Sequence, residues 1–113
     1  MANWLDDAQA VIEVISRKWV VQVLEALAPG PRRHNDLLRA VNNGIHPSVF
    51  DDTLSHLDQA GLVRRETTAT TPPASWYQLT DLGESLLGQV ASLARWADER
   101  RAVLGSLSAW TVD

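Results

Sequence analysis

Histidines, acids and hydroxyls are the raw material for chemistry in this chain, and their spacing decides what they can do. His34, His46 and His56 show no metal-ligand spacing, and no carboxylate joins them in a recognisable motif. They read as surface or turn residues, and no metal or cofactor is implied. Serine, histidine and aspartate are all present, but none sits in a nucleophile motif, so no catalytic residue can be named and an enzyme is not expected. The chain contains no Cys, which excludes disulfides and thiol redox sensing. A different chemistry is better served. Arg32-Arg33 and Arg64-Arg65 are paired cations that could hold phosphates, with ordinary surface charge as the plainer role. Ser48, Asp51, Asp52 and Ser55 are short polar side chains within one turn-periodic segment. Hydroxyls and carboxylates of this kind can address base edges, a carboxylate by accepting from cytosine N4. The plainer role for Asp51 and Asp52 is to stabilise a helix start through the macrodipole.

The elements that would position these groups can be read from apolar periodicity. Asn3 and Asp6 suit a helix start, and Ile12, Ile15 and Trp19 recur at helical spacing. Ser16-Arg17-Lys18 interrupts the run and can divide it from a second helix carrying Val20, Val23, Leu24 and Leu27. Pro29-Gly30-Pro31 stops that helix. A short third helix over residues 35–41 follows, with Leu37, Leu38 and Val41 on its apolar side. Asn42-Asn43-Gly44 tolerate positive φ and suit a tight turn. The fourth helix, about 46–60, turns Phe50, Leu54 and Leu57 inward. Ser48, Asp52, Ser55 and Gln59 then lie opposite, with Asp51 and His56 at the margins. Gly61 is placed to cap it. Residues 62–67 and 75–80 read as two strands, the second with Tyr77 and Leu79 on one face and Trp76 and Gln78 on the other. A last helix starts at about residue 80 or 81 and carries the stripe Leu86, Val90, Leu93, Ala97 and Leu104.

Helix, turn, helix and hairpin in this order predict an α+β winged helix-turn-helix, mostly helical with a two-stranded wing. The helix-turn-helix core would span about 32–61 and the wing about 62–80. The helices at about 4–15 and 81–107 offer more apolar face than one small core can use, so a homodimer through these terminal helices is expected. A length of 113 residues suits one domain, 1–113, and not two. No apolar run approaches the roughly 18 residues of a membrane span. The acidic start MANWLDDAQA is unlike a signal peptide, so a cytoplasmic location is expected. The net charge of −4 argues against indiscriminate polyanion binding, yet five of the ten basic residues fall between positions 32 and 65.

Several ordered segments resemble the HxlR-type transcriptional regulators, a winged helix-turn-helix group within the MarR-like superfamily. They are Lys18-Trp19, Gly30-Pro31-Arg32-Arg33-x-Asn35-Asp36-Leu37, Ile45-x-Pro47, Leu54-x-x-Leu57 and Gly61-Leu62-Val63-x-Arg65. Pro72-Pro73, Tyr77-x-Leu79-Thr80-x-x-Gly83 and Trp96 complete the set, which spans roughly residues 10 to 101. The resemblance implies a homodimeric DNA-binding regulator whose hairpin is the wing and whose operator is double-stranded DNA. It also implies that Trp19 and Trp96 belong to the core. Two features depart from the group: no basic residue lies between His46 and Gly61, and the cysteine used by oxidant-sensing members is missing. The first keeps an alternative alive, a degenerate winged-helix module for ligand sensing or protein interaction with weak DNA affinity. Trp4, Trp76 and Trp110 stand outside the group's pattern. They read first as dimer packing and second as a pocket for a small planar aromatic effector.

Overall fold

The computed structural model describes residues 3–41 and 44–105. Two helices open the fold, α1 (Trp4–Ser16) and α2 (Val20–Ala26). The expected division falls at Ser16-Arg17-Lys18, but Trp19 does not continue the stripe of Ile12 and Ile15. It sits between the helices with φ 80°, half-buried against the core and under the Lys18 ammonium, 5.2 Å from the ring centroid. The predicted cap at Asn3 is also not made: the residue is left-handed, and its side chain bonds no helix N–H.

After α2 the chain forms β1 (Arg32–Arg33), α3 (His34–Val41) and α4 (Pro47–Gln59). The wing follows as β2 (Val63–Thr67) and β3 (Ser75–Leu79), then α5 (Asp81–Glu99) and α6 (Arg101–Leu104). The expected two-stranded wing is thus part of a three-stranded antiparallel sheet, ordered β1-β3-β2. Arg32 pairs with Tyr77 and Arg33 with Trp76, while Arg65 faces Tyr77 from the other side. Two residues carry no period of their own, which is why β1 is silent in the sequence. With that addition the fold is the winged helix-turn-helix.

The core is built from one face of each element. Phe50, Leu54 and Leu57 of α4 meet Val23, Leu24, Leu27, Leu37, Val63 and Tyr77. Thr53 is buried beside them, its hydroxyl donating to the Val49 carbonyl at 2.8 Å, so the outer face of α4 is narrower than a count of polar residues suggests. His46 caps α4, its Nδ1 accepting from the Ser48 N–H at 3.1 Å. Gly61, at φ 76°, closes the other end. Its N–H donates to Asp58 and that of Leu62 to Leu57, the two bonds of a Schellman ending. The last helix is shorter than expected. Arg100 folds back over Trp96 and its Nη1 donates to the Trp96 carbonyl, and α5 stops there before the single turn of α6.

Wing, α4 and α5 meet at one joint. The Thr80 hydroxyl donates to the Gly61 carbonyl at 2.5 Å and accepts from the Gly83 N–H at 3.1 Å. The Thr80 N–H donates to the Leu62 carbonyl. A Cβ on Gly83 would stand 2.0 Å from that same carbonyl oxygen, so a side chain here requires the backbones to separate. Gly83→Ala is expected to destabilise by about 3 kcal/mol, the upper range for overpacking. For a chain of this size that lowers the thermal midpoint by on the order of 10 °C. Circular dichroism melts check this, and a midpoint within about 2 °C of wild type would contradict it.

Candidate nucleic-acid interface

The outer face of α4 carries Ser48, Asp51, Asp52, Ser55 and Gln59, all exposed, as the helical period requires. It is bordered by the start of α3 on one side and the wing on the other. Between them lies a groove of about 760 Å³ lined by Arg33, His34, Asp51, Ser55, Arg65 and Tyr77, among others. Burial holds the Tyr77 hydroxyl above its usual titration range, against the pull of Arg65 and with some help from Asp51 and Asp58. It therefore serves the groove as a neutral phenol.

The strand pleat and register separate the four arginines. Arg65 faces the groove and donates to the Ser75 hydroxyl. Its neighbour Arg64 lies on the opposite face, paired with Glu66 at 3.2 Å and, in the amide orientation that satisfies both groups, donating to Gln78. Arg33 stacks on the Trp76 ring, 5.0 Å from its centroid, and also borders the groove. Arg32 points inward, half-buried, with its Nε donating to the Ala26 carbonyl at 2.7 Å. Neither Arg33 nor Arg65 has a carboxylate within ion-pair distance among the described residues. The register sets Arg32 and Arg65 on the face of Tyr77 and Arg33 and Arg64 on that of Trp76 and Gln78, and the partner each side chain finds distinguishes the four.

The acids of α4 are not bare. Asp51 Oδ1 lies 2.6 Å from His34 Nε2, and Asp52 lies 3.5 Å from His56 Nδ1 one turn further along the same helix. The contribution of His34 is missed by sequence reasoning because seventeen residues separate it from Asp51. Among the described residues no group of three His, Asp or Glu could hold a metal.

The tryptophans scatter. Trp76 borders a separate cleft of about 490 Å³ with Arg32, Arg33, Asp36 and Arg39, and Trp4 is not in that lining. Trp4 is 65 % exposed at the start of α1, and Trp110 lies outside the described residues. Trp96, expected in the core, is instead 47 % exposed on α5, because that helix runs past the body of the domain after Leu86 and Leu87. With Leu5, Ile12, Leu82, Leu93 and Val103 it belongs to a set of exposed apolar side chains on the terminal helices.

Comparison with known proteins agrees with this geometry. The family model described as HxlR-like helix-turn-helix matches residues 14–104. The uncharacterized HTH-type transcriptional regulator YtfH of Escherichia coli (strain K12) is 33% identical over 91 residues, 80% of this chain and 71% of the relative. YkvN of Bacillus subtilis (strain 168), likewise an uncharacterized HTH-type transcriptional regulator, is 39% identical over 84 residues, 74% of this chain and 70% of its own. Among solved structures, one described as a MarR-family transcriptional regulator from Enterococcus faecalis V583 superposes with a TM-score of 0.86. It has 27% identity and covers 94% of this chain and 96% of its own.

The sorting of the arginines has a consequence for stability. Arg32→Ala removes a charged donor from a half-buried carbonyl and is expected to cost about 1.5 kcal/mol. Arg33→Ala removes only an exposed stack on Trp76, at most about 0.5–1 kcal/mol. Urea melts of the two variants should therefore rank Arg32→Ala as the less stable, and the reverse order would contradict the inward role of Arg32.

Proposed function

The chain belongs to the HxlR-like helix-turn-helix family of transcriptional regulators, and from that premise we propose how it engages DNA. As in the rest of the family, which consists of regulators and not enzymes, its function is sequence-specific DNA binding that regulates transcription. Helix α4 enters the major groove and presents Ser48, Asp51, Asp52 and Ser55 to base edges. Arg33 and Arg65, on the two sides of the α4 groove, hold phosphates. Arg32 and Arg64 are engaged within the domain, on the Ala26 carbonyl and on Glu66 and Gln78. The observation that carries this reading is the placement of two acid-free guanidiniums at the borders of an exposed polar helix face. The single domain 1–113 acts as a homodimer in the cytoplasm, and no helix among the described residues is long and apolar enough to cross a membrane. The dimer forms through α1 and α5–α6, whose exposed apolar side chains, Trp4 and Trp96 included, suit packing better than a pocket for an aromatic effector. The alternative of a degenerate interaction module draws on the lack of basic residues on α4, but it is not favoured by relatives that are named transcriptional regulators.

Selection of bound sequences from random duplexes is expected to enrich a motif with two-fold symmetry, and no enrichment would return the reading to the interaction module. With Arg33 and Arg65 of both protomers on phosphates, the log–log dependence of affinity on salt should have a slope of about −4, falling to about −2 in either Arg33→Ala or Arg65→Ala. An unchanged slope in both variants would place the phosphates elsewhere. Sedimentation at micromolar concentration should show twice the chain mass, since an interface of on the order of 2,000 Å² is needed to cover the terminal helices. A monomer there would remove the two-fold site.

A further inference from the structure

The contact between His34 and Asp51 carries more than a hydrogen bond. His34 opens α3, and both of its ring nitrogens face oxygen. Nε2 is 2.6 Å from the Asp51 carboxylate, and Nδ1 is 3.1 Å from the side-chain oxygen of Asn35. A neutral imidazole can donate from one nitrogen only, so the second contact becomes a hydrogen bond when the ring takes up a proton. The ring is held in place by the edge of Phe50, with centroids 5.1 Å apart, and by Tyr77 at 6.1 Å. It is therefore positioned rather than free to swing.

We propose that His34 is a positioning residue of the DNA-reading face that takes up a proton when the protein binds DNA. This rests on the reading that α4 faces DNA. As an imidazolium, His34 fixes the Asp51 carboxylate and cancels its charge; as a neutral ring it leaves a net negative charge toward the phosphates. DNA favours the first state, so proton uptake and DNA binding reinforce each other. Imidazole is the side chain that ordinarily changes charge between about pH 5 and 8. The other charges around the groove are Asp36 and Asp58 of one sign and Arg33, Arg39 and Arg65 of the other. Asp36 is already paired with Arg39, and the Tyr77 hydroxyl stays protonated because burial raises it.

Two other histidines, His56 on α4 and His46 at its N-cap, must be separated from His34. His56 contacts Asp52 more loosely, at 3.5 Å. His46 acts in the opposite sense. Its Nδ1 accepts from the Ser48 N–H, so protonation removes the cap of α4. His46→Asn keeps an acceptor at the cap and removes its titration, which makes it the background for the experiment.

The test uses the full chain and a duplex recovered by selection, with affinity read by fluorescence anisotropy at constant ionic strength from pH 5.8 to 8.2. In the His46→Asn background affinity should rise on acidification, by roughly tenfold per pH unit for each linked proton. Calorimetry in buffers of different ionisation enthalpy should register the proton taken up. His34→Gln still donates to Asp51 but cannot gain charge, and should lose about one linked proton per subunit. Asp51→Asn should bind a scrambled duplex several-fold more tightly at pH 8, because the carboxylate's repulsion of phosphates is removed. A His34→Gln variant with the parent slope and proton uptake would overturn the proposal and move the protons to His56. A parent protein that binds equally at pH 6 and pH 8 would also overturn it, with the DNA reading left intact. Absence of binding to any duplex at any pH would sink both.

Discussion

One joint fixes the geometry on which the rest depends: the meeting of Leu62, Thr80 and Gly83. The Leu62 carbonyl ends the turn after α4, and Thr80 ends the wing and begins α5. Gly83 allows the two backbones to touch. The Thr80 hydroxyl works in both directions, capping α5 while closing onto Gly61. Recognition helix, wing and terminal helix therefore share a single hydrogen-bonded node. Any tilt of α5 is felt at the end of α4 within one turn. On the proposed dimeric reading this rigidity matters, because half-site spacing would be set by how each α4 is held relative to the dimer seam.

Around that node the charge is balanced locally rather than globally. The chain carries a net −4, yet three acids near the α4 face are set against a partner: Asp51 against His34, Asp52 against His56, Asp36 against Arg39. Arg33 and Arg65 are left without carboxylates, one resting on an indole and one beside a serine hydroxyl. Adjacent residues of a strand point to opposite faces, so each Arg-Arg pair is split. Arg32 and Arg65 share the face of Tyr77, and Arg33 and Arg64 that of Trp76 and Gln78; the local partner of each then engages Arg32 and Arg64 within the domain and leaves Arg33 and Arg65 beside the groove.

That division explains what the sequence could and could not disclose. Phe50, Leu54 and Leu57 announce α4 by their spacing, and Gly61 marks its end, so helix, wing and outer face fall within a residue or two of their expected places. Strand β1 is invisible because two residues have no period, and only the partner residues Tyr77 and Trp76 define it. The inward turn of Arg32 and the outward pairing of Arg64 need a register that no local pattern supplies. His34 and Asp51 are joined only by the packing of α3 on α4. The stripe of α5 reads identically whether it covers a core or a second protomer. Trp96 lies off that stripe; the resemblance places it in the core, and the described fold leaves it exposed.

An acidic reading helix is consistent with specific binding once the two components of affinity are considered apart. Non-specific attraction comes from cations on phosphates and scales with their number. Base discrimination comes from short, directional contacts in the groove and does not need net charge. On the proposed reading, with two guanidiniums per chain beside the groove, the non-specific component should be small. A carboxylate on α4 lowers it further by repulsion from every phosphate it passes, whatever the sequence. At a matching base pair the same carboxylate gains a donor and recovers part of that loss, so the gap between operator and random DNA widens even as absolute affinity falls. On the proposed reading, the shielding of Asp51 by His34 sets how much repulsion is applied, and so tunes the balance between affinity and selectivity.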